Sequence, residues 1–152
     1  MKKRIFVYIA LIMSGLMFSC TPESCLENTT SSLEAIFYSY TSKSVAAPDS
    51  LSISLIGKDT SVYTKVQGIK TAKLPLNPSA GSSSFSIRIN GVDDTIIIFH
   101  NSYPHLISRE CGYAFYHNID SIMFTAGKMI DSISIINSTV TTLDEDNIHI
   151  FY

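Results

Sequence analysis

Leu51, Ile53 and Leu55 alternate with Ser50, Ser52 and Ser54. A strand has a period of two, so the aliphatics fall on one face and the hydroxyls on the other. Phe85, Ile87 and Ile89 repeat the alternation, and Asn90-Gly91 follows as a hairpin cue because both residues tolerate positive φ. The loop reads as longer than two residues, with the next strand over Thr95–Phe99. Ile96-Ile97-Ile98-Phe99 is apolar on both faces, the mark of a central core strand. Further strands are predicted at Ala35–Tyr40, Val62–Val66, Tyr113–Tyr116, Ser121–Phe124, Ile130–Ile136 and Asn147–Tyr152. Leu74-Pro75-Leu76 reads as an edge or a strand start, since proline cannot donate to a ladder. About eight or nine short strands with regular turn signals predict an all-β fold, a two-sheet antiparallel β-sandwich, immunoglobulin-like or similar. A helix-containing α+β fold is the alternative.

The first residues follow a different logic. Lys2, Lys3 and Arg4 precede an apolar run from Ile5 to Phe18, which is short for a membrane span of roughly 20 residues. Met17-Phe18-Ser19-Cys20 resembles a bacterial lipobox, in which the cysteine sulfur is acylated and that cysteine becomes the first mature residue. Ser19 supplies the small residue, while Met17 and Phe18 are bulkier than the strict pattern, a looseness found in lipoproteins of the Bacteroidota. An ordinary signal peptide and a retained anchor are the other readings. The expected organisation is a signal peptide over 1–19, a polar tether over 20–32 with Leu26 as its docked contact, and the sandwich over 33–152. Acidic residues directly after the lipidated cysteine would favour export to the outer face. Only Glu23 stands in Thr21–Ser24, so the periplasmic face of the outer membrane is the expected side.

Removing residues 1–19 leaves 152 − 19 = 133 residues, a single-domain length. It also leaves 11 − 3 = 8 basic residues against 13 acidic ones, a formal charge of −5. The remaining cations are scattered, which argues against a nucleic-acid partner. An envelope location permits disulfides, and besides Cys20 the cysteines are Cys25 and Cys111. They are expected to pair, with two reduced thiols as the alternative. No Cys-x-x-Cys occurs, so redox chemistry has little support.

Candidate chemistry is sparse. The sequence has no Gly-x-Ser-x-Gly elbow, no His-Glu-x-x-His and no phosphate-cradling glycine loop. His100 and His105 flank a Tyr-Pro pair that reads as a turn, and with His117 and His149 they are expected to be loop and strand-end residues rather than metal ligands. Arg109-Glu110 reads as a polar setting for Cys111 on a strand. Asp93-Asp94 and Asp144-Glu145-Asp146 lack the ligand spacing of a calcium loop. No catalytic residue, metal or cofactor is expected.

Asp49-Ser50-Leu51, Asp94-Thr95-Ile96, Asp120-Ser121-Ile122 and Asp131-Ser132-Ile133 each set an Asp and a hydroxyl before an aliphatic. Turn chemistry accounts for them if each Asp bonds nearby backbone N–H groups. The same triplet resembles an O-glycosylation acceptor of Bacteroidota envelope proteins, with Ser50, Thr95, Ser121 and Ser132 as acceptors.

Cys20, Cys25-Leu26, Leu74-Pro75-Leu76, Ser108 with Glu110-Cys111-Gly112, Ile130-Asp131 and Asn147-Ile148-His149-Ile150 together resemble small Bacteroidota envelope lipoproteins grouped as a domain of unknown function. The resemblance implies a lipid-anchored domain with cysteines at these places, and no activity. The membrane, reached through the lipid, is then the expected partner, with an envelope protein of unknown identity beside it. A non-catalytic accessory or binding module is the leading functional expectation. A fimbria-like subunit exchanging its C-terminal strand is second, and an envelope hydrolase last.

Overall fold

The computed structural model describes residues 24–125 and 128–152. Ten strands follow in order: β1 Leu33–Tyr38, β2 Leu51–Leu55, β3 Ser61–Val66, β4 Thr71–Leu74, β5 Ser82–Ile89, β6 Val92–Ser108, β7 Gly112–Phe124, β8 Ser132–Ile135, β9 Thr139–Val140 and β10 Asp146–Phe151. They form a four-stranded sheet, β4-β1-β10-β8, and a six-stranded sheet, β3-β2-β5-β6-β7-β9. The two sheets enclose one core, so the protein is the expected β-sandwich.

The period-two segments fill that core. Leu51 and Ile53 of β2, Phe85, Ile87 and Ile89 of β5, and Ile96 and Ile98 of β6 are buried from the six-stranded sheet. Leu33, Ala35 and Phe37 of β1 meet them from the other side with Ile148 and Ile150 of β10. Ile97 and Phe99 are half-buried on the outer face of β6, which lies between β5 and β7 as a central strand should. Leu74 ends β4, an edge strand, directly before Pro75, where a missing donor does no harm.

Several features depart from the sequence reading. The hairpin after β5 is two residues long: Ile89 pairs with Val92, and Asn90 and Gly91 both have positive φ, 49° and 87°. That is the geometry whose twist suits flanking strands. Tyr103-Pro104 is not a turn but part of a continuous 17-residue β6 paired with a 13-residue β7. β5 reaches only as far as Phe99, so beyond His100 β6 is paired on the β7 side and a proline is tolerated at its open edge. Arg109 and Glu110 consequently fall in the tip of this hairpin rather than on a strand. Finally, β10, the C-terminal strand read as one that a subunit could exchange, is an inner strand: it pairs antiparallel with β8 and parallel with β1, the one parallel pair among these strands in a fold expected to be antiparallel.

Residues 24–32 hold no strand, yet they follow the sandwich closely. Asn28 Nδ2 donates to the Thr142 carbonyl at 3.2 Å, and the Ser31 hydroxyl donates to the carbonyl of Phe115 on β7. Leu26 is not docked; it is 93% exposed. Polar bonds and the disulfide hold this segment, not the apolar contact the sequence suggested.

Candidate functional site

Two places gather chemistry-bearing side chains, and both belong to the β6–β7 hairpin. The first is its tip. Cys25 and Cys111 are joined as a disulfide across 86 residues of sequence, with Cα atoms 4.8 Å apart. The Cys111 amide donates to Ser108 Oγ at 3.0 Å, and Gly112 takes φ 72° to re-enter β7, a conformation that favours glycine. The bridge therefore fastens residue 25 to a shaped turn.

The second is a buried polar chain further down the hairpin. His100 and His117 are 1% and 2% exposed, and their rings meet edge to face with centroids 5.3 Å apart. Ser102 stands between them, its Oγ 2.8 Å from His117 Nδ1 and 3.3 Å from His100 Nδ1. His100 Nε2 lies 3.0 Å from Ser83 Oγ, which accepts the Asn77 amide at 2.9 Å. One direction of donation satisfies the chain with neutral imidazoles. The Asn77 amide donates to Ser83, Ser83 to His100 Nε2, His100 Nδ1–H to Ser102, and Ser102 to His117 Nδ1. Burial pushes the His117 pKa down to about 4, with His100 adding to the effect. Burial also lowers His100, against the pull of Asp120.

The sequence reading missed this pair. It took His100 as a residue beside a turn, and the 17-residue spacing to His117 carries no local signal. Register creates the meeting: Ser102 faces His117, and His100 faces Ile119 past a bulge at Asp120. His105 and His149 are elsewhere. His105 is stacked on Tyr116 with centroids 4.3 Å apart, and His149 lies on the outer face of the four-stranded sheet, 4.4 Å from the Tyr38 ring. Among the described residues no group of three His, Cys, Asp or Glu side chains converges as a metal site would require.

The acidic runs Asp93-Asp94 and Asp144-Glu145-Asp146 are engaged in structure. Asp93 takes a two-pronged bond from Arg88, at 2.7 and 2.6 Å, and that guanidinium holds the carboxyl below its ordinary range. Asp144 pairs with Lys73 at 2.6 Å, and Lys73 also reaches Glu34 at 3.4 Å. Asp94 is buried, and its Oδ2 accepts the amides of Met129 and Ile130 at 3.0 and 3.1 Å. The turn chemistry expected of Asp94 is thus replaced by a bond to backbone 35 and 36 residues away, which ties β6 to the connection ahead of β8.

The four hydroxyls of the Asp-hydroxyl-aliphatic triplets are not equivalent. Ser50 is half-buried, and its amide is held by Asn90 Oδ1 at 3.1 Å. Thr95 is half-buried within β6, opposite Ser86. Ser132 opens β8 opposite Phe151, also half-buried. Ser121 is exposed on β7. Cys20 lies outside the described residues.

The geometry defines a class: a disulfide-clamped β-sandwich domain with a long hairpin fastened to its N-terminal segment. The chain belongs to a family of unknown function, DUF6452, whose profile matches residues 50–152. That span contains Cys111, the histidine chain and every strand from β2 to β10. No curated protein and no solved structure matches the chain.

Proposed function

We propose that this protein is a lipid-anchored envelope protein whose sandwich serves as a non-catalytic accessory or binding module, held at the membrane through an acylated Cys20. The carrying observation joins sequence to structure: the lipobox-like Met17–Cys20 ends five residues before Cys25, which is covalently fixed to the β6–β7 tip. A tether that short, clamped at its far end, suits a domain moored close to a bilayer. Stable mooring takes more than one acyl chain, and a lipobox cysteine receives more than one. The buried histidines support a non-catalytic role, since their bonds to Ser83 and Ser102 serve a packed interior. Strand exchange has less support, because β10 is already paired on both sides and buries Ile148 and Ile150. Among the four acceptor-like hydroxyls, exposed Ser121 is the one we propose for any glycan.

The test is metabolic labelling with an alkynyl fatty acid in a bacterial host, followed by membrane fractionation and crosslinking. The wild type should carry label, sediment with membranes and crosslink reproducibly to an envelope partner. Label surviving in Cys20→Ala, or unlabelled wild type in the soluble fraction, would overturn the anchor.

A further inference from the structure

The core-facing side of β6 runs out of cover toward the hairpin tip. Along the even positions Ile98 and His100 are 0% and 1% exposed, Ser102 is half-buried, Pro104 is exposed and Leu106 is 51% exposed. β7 supplies the facing residues in register: His117 opposite Ser102, Phe115 opposite Pro104, and Tyr113 opposite Leu106. Residues opposite each other in an antiparallel pair share a face. Pro104, Leu106, Tyr113 and Phe115 therefore form one apolar platform, continuous with the core but left bare, with Tyr113 69% and Phe115 47% exposed. Leu26 is exposed at the same tip, beside the disulfide.

We infer that this platform is a membrane-contact surface, resting on the bilayer in which the Cys20 lipid is embedded; the inference rests on the anchor proposed above. The short sequence between the lipobox cysteine and the disulfide says what can cover the platform. From Cys25 back to Cys20 is five residues, and a fully extended chain spans at most roughly 3.6 Å per residue, about 18 Å in all. With Cys20 acylated, the bilayer surface lies within that reach of the hairpin tip, because the disulfide fixes Cys25, the far end of the tether, to the tip. Aromatic side chains with a polar end settle at the headgroup level, and a small apolar face enters the boundary layer by about 5–10 Å. At the tip the one cation, Arg109, is outnumbered by Glu110 and Glu27, so the contact is apolar rather than a response to anionic lipid. The occupant is the headgroup–acyl boundary itself.

The chain contains no tryptophan, so a single substitution gives a unique reporter. Tyr113→Trp and Leu106→Trp place it on the platform. Tyr40→Trp is the control: it follows β1, which starts next to Ser31 at the hairpin and runs six residues to Tyr38 at the far end. The full lipidated protein is reconstituted into phosphatidylcholine vesicles carrying bromine near the head of the acyl chain. Both platform tryptophans should shift to the blue and lose intensity to bromine, while Trp at position 40 stays unchanged. Vesicle-bound protein whose platform tryptophans behave like the control would overturn the inference and leave the anchor standing. Wild type that does not float with vesicles at all would instead overturn the anchor, and this inference with it. A blue shift already present without vesicles, together with elution as a dimer, would assign the platform to a second copy of the chain. Far-ultraviolet dichroism identical to wild type confirms that each variant is folded, and agreement of the two platform positions guards against a local artefact at either.

Discussion

Ser102 and His117 stand opposite each other across the β6–β7 ladder, with Oγ 2.8 Å from Nδ1, and the serine's single proton decides the state of the ring beside it. With Ser102 donating, His117 must be neutral; a protonated ring would face a second donor in a site where burial already disfavours charge.

That relationship sets a pH dependence. The folded-state pKa of His117, about 4, lies below the ordinary 6.5, so the unfolded chain binds the proton first as pH falls. Stability from this group is complete above pH 6.5, declines as pH drops, and levels off below about 4. Urea titrations should show a loss of about 1–3 kcal/mol between pH 7 and pH 4.5. His117→Gln should flatten this part of the profile, and a variant with the wild-type slope would remove His117 as its source.

The Ser102 hydroxyl is a second handle on the chain. Ser102→Ala leaves His100 and His117 each short of a partner in a buried site, and the expected cost is about 1–3 kcal/mol. Denaturant midpoints at pH 7 measure it. A change of only a few tenths would mean that water replaces the hydroxyl without loss.

Asp94 should matter more to the fold than any exposed acidic residue. Asp94→Ala strands the amides of Met129 and Ile130, one of them fully buried, at a cost of about 2–3 kcal/mol. Asp94→Asn keeps an oxygen in place and should lose less. Hydrogen exchange at residues 129 and 130 should quicken in the alanine variant, and protection equal to wild type would contradict the bonds.

Replacing both Cys25 and Cys111 by serine opens a bridge that spans 86 residues, and the loss should be about 2–5 kcal/mol. Exchange should also rise at the Thr30 amide, since residues 28–31 would be left with isolated polar bonds to Thr142 and Phe115. Unaltered stability in the double variant would show that those bonds suffice.

At the β5–β6 turn, Gly91→Ala should destabilise by about 1 kcal/mol, because φ 87° is a glycine conformation, whereas Asn90→Gly should be close to neutral. Thermal unfolding of the two variants side by side distinguishes a φ requirement from a general sensitivity of the turn.

Much of the framework could be read locally. Side-chain alternation is a property of a few neighbouring residues, so Leu51-Ile53-Leu55 and Phe85-Ile87-Ile89 announced both their strands and their buried faces. Asn90-Gly91 announced a turn for the same reason, although the length of its loop depended on where β6 began pairing. Two cysteines in a domain expected to be oxidised left few pairings to consider, and Cys25–Cys111 could be named before any distance was known.

The histidine chain, the Asp94 bonds, the bare platform and the parallel β1–β10 pair could not be read that way. Each depends on which strand lies beside which, and in what register, across separations from 7 to 113 residues, and no local periodicity encodes that choice. Pro104 shows the limit most clearly: in sequence it is a strand breaker, and it became a strand residue only because β5 stops at Phe99 and leaves β6 an open edge. Composition and alternation settled that this chain makes strands and which side of most of them is buried, since those are nearest-neighbour properties. Packing of the two sheets settled which polar groups meet inside and which apolar ones are left facing out, because only a closed core determines where cover ends.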